Sequence, residues 1–326
     1  GIRDRSPSRG LGDVYKRQVG FLPFILSSNL GKSLITSYIG TKLKGKVEIE
    51  ELSLSWFHGQ SGKNFSYTRD QETTLHFEKV STISSFFSLL KGEKDFKLER
   101  GTAKIGSIEV DSICFDYQEG KSTPFPCCKA VGHTKQNNLL GNFDIQTNGN
   151  EGIIQVVNFP TKGLDHLFPS ADNNLFSSTF GDALSLDSKV FPDYTHISLH
   201  SPRLFGDFDV AYQEGMLSLK KRGRLTWTIH KEPFNFATAY LPLSLEESAT
   251  INIELDSGSI PTKNKKLLFN DLAINGNFLL SKGAFTLTNS GEKIFCNQLK
   301  VAFNTPKLKE ITHLNFDNSF KYNDSL

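Results

Sequence analysis

The feature that most constrains this chain is an alternation of apolar and polar residues, repeated in short segments separated by turn signals. Ile251-Asn252-Ile253-Glu254-Leu255, Leu225-Thr226-Trp227-Thr228-Ile229 and Phe208-Asp209-Val210 each place an apolar side chain at every second position. In an extended backbone that period gathers the apolar residues on one face, whereas a helix would scatter them. Asn148-Gly149-Asn150, Glu214-Gly215 and Arg222-Gly223 punctuate the segments, and these residue types accept the backbone angles of tight turns. Closely spaced strands joined by short polar turns imply an antiparallel meander. The expected fold class is therefore mainly β: an elongated, twisted antiparallel sheet, open as a groove or folded over itself, with an N-terminal helix and a few short helices. The aromatic content agrees, because 27 Phe stand against 8 Tyr and 2 Trp, and bulky apolar rings suit a half-buried pleated surface.

Two segments break the alternation in the same manner. Between Val47 and Trp56, Glu50-Glu51 interrupts the pattern with two adjacent polar residues, as a bulge that resets the face would require. Asp111-Ser112 does the same between Val110 and Ile113-Cys114-Phe115. With the phase reset, Val47, Ile49, Leu52, Leu54, Trp56, Ile113 and Phe115 fall on one apolar face, and they are the candidate functional residues.

Helical spacing is confined to short stretches. Leu30, Leu34, Ile35, Ile39 and Leu43 recur at helical intervals from Ser28, and Gly45 is a natural stop. Ile83, Phe86, Phe87 and Leu90 fit one short helix, Leu164, Leu167 and Phe168 a helical turn, and Phe234 to Tyr240 another.

The ends read differently from the body. Residues 1–18 show neither initiator Met nor apolar periodicity and look like translated adapter sequence, so they are set aside. The uncharged run Val19 to Leu26 is shorter than the about 20 residues that span a bilayer, and reads as the tail of a membrane anchor. The Asn/Asp/Ser-rich C-terminal residues 315–326 offer no closing element. The expected organisation is 1–18 artefact, 19–44 anchor end and amphipathic helix, 45–120 a first β unit, and 121–326 a continuing β-rich region, with no sharp composition shift between the last two.

Chemistry-bearing motifs are scarce. The net charge of +2, without a basic run interleaved with aromatics, argues against nucleic acid as a partner. The glycines stand singly, so there is no phosphate-binding loop or dinucleotide fingerprint. Cys114, Cys127, Cys128 and Cys296 form neither a disulfide framework nor a zinc pattern, and Cys127-Cys128 reads as a solvent-facing loop pair. His196 and His200 would share one side of a strand, but Pro202 follows and no carboxylate pattern accompanies them. No nucleophile elbow or paired acids appear. The expectation is a chain without catalytic activity, cofactor or metal. Its apolar face is either closed by other elements or open to acyl chains, and the pattern alone prefers closure.

A family resemblance shifts that balance. The segment Gly45-Lys46-Val47-Glu48-Ile49-Glu50-Glu51-Leu52-Ser53-Leu54-Ser55-Trp56-Phe57-His58-Gly59, following an apolar end, is similar to the start of AsmA/TamB-like proteins. Phe77-Glu78-Lys79-Val80, Ser85 to Gly92 with its Leu89-Leu90-Lys91-Gly92 ending, and Val157 to Thr161 extend the likeness. One departure is Gly62 to Asp70, which keeps Asp70 but weakens the apolar run seen in that group. The resemblance implies an inner-membrane anchor with the body in the periplasm of a Gram-negative-type envelope. It further implies outer-membrane biogenesis or lipid transport through the apolar groove, with phospholipid or another envelope lipid, the membrane and envelope proteins as partners. The alternative is a closed β-rich scaffold that binds proteins and carries no lipid.

Overall fold

The computed structural model describes residues 20–69, 72–92, 94–119, 126–167, 174–230, 243–263, 266–268, 271–287, 290–305 and 313–321. The chain divides into two units, one of Gly1–Gln136 with Asp144–Gly149, the other of Asn137–Phe143 with Asn150–Leu326.

The first unit opens with helix α1, residues 20–27, and α2, Asn29–Leu43. Ser28 separates them and caps α2, its hydroxyl accepting from the Gly31 amide at 3.4 Å. Lys44 ends α2 in the left-handed region at φ 55°, and the Gly45 amide returns to the Gly40 carbonyl at 3.0 Å. Six strands follow: β1 (Lys46–Ser53), β2 (Gly59–Thr68), β3 (Thr73–Ser85), β4 (Asp95–Ile105), β5 (Ile108–Gln118) and β6 (Cys127–Gln136). Each pairs antiparallel with its chain neighbour. A five-residue helix, α3 (Phe86–Leu90), joins β3 to β4, capped by Ser85 on the Ser88 amide. It is shorter than the spacing from Ile83 implies, because Ile83 still belongs to β3. Strand β7 (Leu139–Asn148) begins in the second unit and ends in the first, where the Thr147 hydroxyl accepts from the Cys128 amide at 2.9 Å.

The second unit continues with β8 (Gly152–Pro160), helices α4 (Thr161–Leu167) and α5 (Leu175–Phe180), then β9 (Ala183–Val190), β10 (Thr195–His200), β11 (Leu204–Gln213), β12 (Met216–Leu219) and β13 (Gly223–Ile229). After these come β14 (Leu243–Leu245), β15 (Ala249–Lys263), β16 (Lys266–Leu267), β17 (Ala273–Leu287), β18 (Lys293–Thr305) and β19 (His313–Lys321). All its described pairings are antiparallel; β11 divides between β12 and β13, both of which pair with β15, and β17, β18 and β19 follow in order. Ile229, Leu245, Ala249 and Leu280 form its core, with Trp227, Ile251, Phe278, Phe285 and Leu299 packed against them. Trp227, Ile251, Leu280 and Leu299 are register partners in one row across four strands, so period-two alternation is what assembles this core.

The mainly β, antiparallel reading with an N-terminal helix and short helices holds. Several expectations need correction. The segment 315–326 does hold a structural element, because His313–Lys321 pairs with β18. Phe168 and the stretch 234–240 lie outside the described residues, as do 1–18. The expected membrane anchor is not borne out: among the described residues no helix is long and apolar enough to cross a membrane. Residues 20–26 of the apolar run instead belong to α1, which ends before Ser28 and meets the segment just after β1 through Ser27, whose hydroxyl accepts from the Leu54 amide at 3.0 Å. Inner-membrane localisation rested on that anchor and is withdrawn with it.

Candidate functional site: the apolar face of the first unit

Cross-strand register gathers the candidate residues. Val47 pairs with Tyr67, Tyr67 with Leu75, Leu75 with Ala103 and Ala103 with Val110. A second row runs Ile49, Phe65, Phe77, Gly101, Ile113, and a third Leu52, Gly62, Val80, Leu98, Phe115, Ala130. Directly opposed residues in antiparallel strands share a face, so five of the seven candidates stand on one sheet surface. Val47 is buried and the other four are half-buried. Phe115 stacks on Phe96 at 5.4 Å, and Phe96 on Tyr117 at 5.1 Å. Leu54 and Trp56 lie beyond the end of β1. Trp56 meets Phe86 edge-on at 5.2 Å, and its indole nitrogen donates to the Gly20 carbonyl at 3.0 Å. They belong to the junction with α1 and α3, where the strand pattern gave no sign of an ending.

What lets the three rows share a face is a crease between the second and third. Glu50, Asn64, Glu78 and Arg100 occupy successive opposed positions, with Asn64 at φ 50° and Arg100 at φ 52°. On β5 the left-handed residue falls one row over: Ser112, at φ 53°, stands between Val110 of the first row and Ile113 of the second, and the register shifts there on both sides of the strand. The Glu50–Glu51 interruption is therefore not an added residue, since β1 and β2 keep one register through it. It is one end of a row that crosses the sheet. The sequence carried the same signal in Lys63-Asn64, Glu78-Lys79 and Glu99-Arg100, two adjacent polar residues between apolar ones, and it went unread. The displaced polar side chains pair with one another: Asn64 donates to the Glu50 carboxylate, Arg100 meets Glu78 at 2.6 Å, Lys63 meets Glu51 at 2.6 Å and Lys79 meets Glu99 at 3.4 Å. The hydrogen bond from Lys97 is the main cause holding the Glu99 carboxyl below its ordinary range.

At one end of β3 and β4 a single carboxylate organises the chain. Asp95 accepts from the Thr82 hydroxyl at 2.7 Å, the Ile83 amide at 2.6 Å, the Ser84 amide at 3.1 Å and the Ser84 hydroxyl. Burial pushes its pKa up, yet these hydrogen bonds together outweigh burial and leave it lowered.

The remaining candidates disperse. His196 is held by Asp209 at 2.8 Å and stands 3.6 Å from Asp207, both on β11, while Lys221 meets Asp209 at 3.0 Å. The carboxylates absent from the local sequence arrive by cross-strand pairing. Burial raises the Asp209 pKa, and the bonds from His196 and Lys221 override it, so the carboxyl lies below its usual value. His200 turns to the Phe205 ring instead, at 6.1 Å. Among the described residues no group of three or more His, Cys, Asp or Glu could hold a metal ion. Cys127 and Cys128 are not a loop pair but half-buried, free thiols in β6, and burial, aided by Asp116, pushes the Cys128 thiol up.

Lipid and membrane as partners depended on the anchor, and the absence of a membrane-crossing helix among the described residues overturns that reading. No protein-family model, curated protein or solved structure matches the chain, so the likeness to AsmA/TamB-like proteins rests on residue pattern alone.

Proposed function

We propose that the chain is a non-catalytic β scaffold that holds protein partners along a sheet edge and carries no lipid. The observation that carries this reading is the unequal treatment of two edges. Along β1 the Lys32 ammonium donates to the Glu50 carbonyl at 2.6 Å, and just past its end Ser27 takes the Leu54 amide, so the helices cover that edge. Strand β19 pairs with β18 from His313 to Lys321, and among the described residues no other strand is in register with it. An unpaired strand edge offers a row of backbone donors and acceptors to an extended segment, which is the chemistry of strand addition. The side chains closing the core of the second unit support a scaffold over a carrier.

The test places a photo-crosslinking residue at Asp317 in the full chain, in the cells that make it, with Glu48 on the covered edge as control. A discrete protein adduct at position 317, absent at 48, supports the reading. Equal labelling at both positions, or lipid as the sole adduct, sinks it.

A further inference from the structure

The cover over β1 is thin. Among the described residues only β2 is in register with β1, and a single hydrogen bond joins the helices to that eight-residue strand, from the Lys32 ammonium to the Glu50 carbonyl. The buried residues of α2 are Gly31 and Gly40. A Cβ on either would strike the backbone of Leu26 or Gly45 before anything in β1. Ile35 and Ile39 are half-buried, while Leu30, Leu34 and Tyr38 are between 66% and 80% exposed. A cavity of about 340 Å³ remains where the helices meet the sheet, lined by Ser27, Lys32, Glu50, Glu51, Leu52 and Ser53 among others. Further ties are side-chain hydrogen bonds near the ends: Ser27 with the Leu54 amide, Trp56 with the Gly20 carbonyl, and the Tyr67 hydroxyl donating to the Leu43 carbonyl at 2.8 Å.

We infer that α1 and α2 form a displaceable strap, and that β1 beneath it is a second strand-addition edge, for an extended segment in which basic and apolar residues alternate. Charge selects that occupant. Strand β1 carries three exposed carboxylates, Glu48, Glu50 and Glu51, so β1 of another copy would oppose like charges. On the paired side Lys63 of β2 stands opposite Glu51 and meets it at 2.6 Å, which is the contact a basic residue of an added strand would make on the other side. Lys32 holds that place while the strap is closed, and the backbone groups of β1 supply the remaining bonds once it opens. A closed strap lowers the apparent affinity by the fraction of chains in which it is open. Loss of one tie should raise that fraction about fivefold.

Fluorescence anisotropy of the full chain with a labelled peptide of about ten residues alternating Lys and Val tests the inference, with a Glu–Val peptide as control. Tyr67→Phe frees the Leu43 carbonyl without a change of charge, and Lys32→Ala frees the Glu50 carbonyl. Each should tighten Lys–Val binding about fivefold with circular dichroism unchanged, and a photo-crosslinking residue at Ser53 should label the peptide more in each variant than in the parent. Binding that neither variant tightens, tightening by Lys32→Ala alone, equal binding of the Glu–Val peptide, or no cross-link at Ser53 overturns the inference. It shares the chemistry of strand addition with the reading of β19 but not the edge. An Asp317 adduct that persists while these results fail leaves the β19 reading standing alone, and the converse leaves β1 alone.

Discussion

Replacing Gly101 by alanine should destabilise the first unit through a single collision whose size follows from its surroundings. Gly101 pairs with Phe77 on one side and Ile113 on the other. A Cβ there would stand 2.5 Å from Phe77 Cδ1, closer still to Cε1, and 3.0 Å from Ile113 Cβ. Gly101 is not among the positive-φ glycines, so alanine adds no backbone strain and the substitution isolates the contact. The ring has no exit to solvent, because Phe77 is 3% exposed. Overpacking of this kind costs about 1–3 kcal/mol, and Phe77→Ala alone should cost about 3–5 kcal/mol. In the double variant the new methyl enters space the ring has left, so its cost should fall short of the sum by about 1 kcal/mol or more. Urea unfolding of the full chain in a Trp227→Phe background reads this unit through Trp56 fluorescence. A double variant whose cost equals the sum within about 0.5 kcal/mol would refute the packing argument.

Three further outcomes follow from the same unit. Asp95→Asn should cost about 2 kcal/mol, since hydrogen bonds to a charged acceptor contribute about 1.5–3 kcal/mol each and water recovers part at the exposed Ile83 amide. Because the folded-state pKa of Asp95 is lowered, its contribution is present above the unfolded carboxyl value near about 3.9 and is lost as pH falls through the folded one. Urea midpoints between about pH 5 and 3 should therefore drop more steeply for the parent than for the Asn variant. Ser112→Gly should stabilise by about 0.5 kcal/mol, as relief of a left-handed residue exceeds the added chain entropy; a lower urea midpoint would contradict this. Glu78→Ala should change stability by less than about 1 kcal/mol, because the Arg100 pair is exposed on both sides, and a larger loss would show that the charges themselves hold the crease.

The parts legible in the sequence were those set by near neighbours along the chain. Helix α2 was readable because Ser28 and Gly45 mark its ends and Leu30, Leu34 and Ile39 its period. Strands such as Met216–Leu219 were readable because alternation is a two-residue property. Register is not local, and sequence could not show that Glu78 and Arg100 would stand opposed, or that Asp207 and Asp209 would reach His196. The anchor was misread for a related reason: hydropathy reports that Phe21, Phe24 and Ile25 are apolar, but not that their helix stops at Ser28 and turns to the sheet.

The crease explains why the apolar face of the first unit exists at all. In β1, Ile49 and Leu52 are three residues apart and would point to opposite sides of an unbroken strand. Both nevertheless approach the same place, for a Cβ on Gly62 would lie 3.4 Å from Ile49 Cγ2 and 4.0 Å from Leu52 Cδ1. Convergence from both sides of the crease leaves little room between, and Gly62 occupies that crowded position on β2. The left-handed residues of this crease, Asn64 and Arg100, cost about 1–2 kcal/mol each. In exchange for that strain, Leu52, Val80 and Leu98 turn to the same side as Ile49, Phe65 and Phe77, where even half-burial contributes on the order of 1 kcal/mol per side chain. The two sums are comparable, so the crease is nearly neutral in stability, and its effect is on specificity: a one-residue slip between any two of these strands would set a left-handed residue against the wrong partner and split the apolar rows.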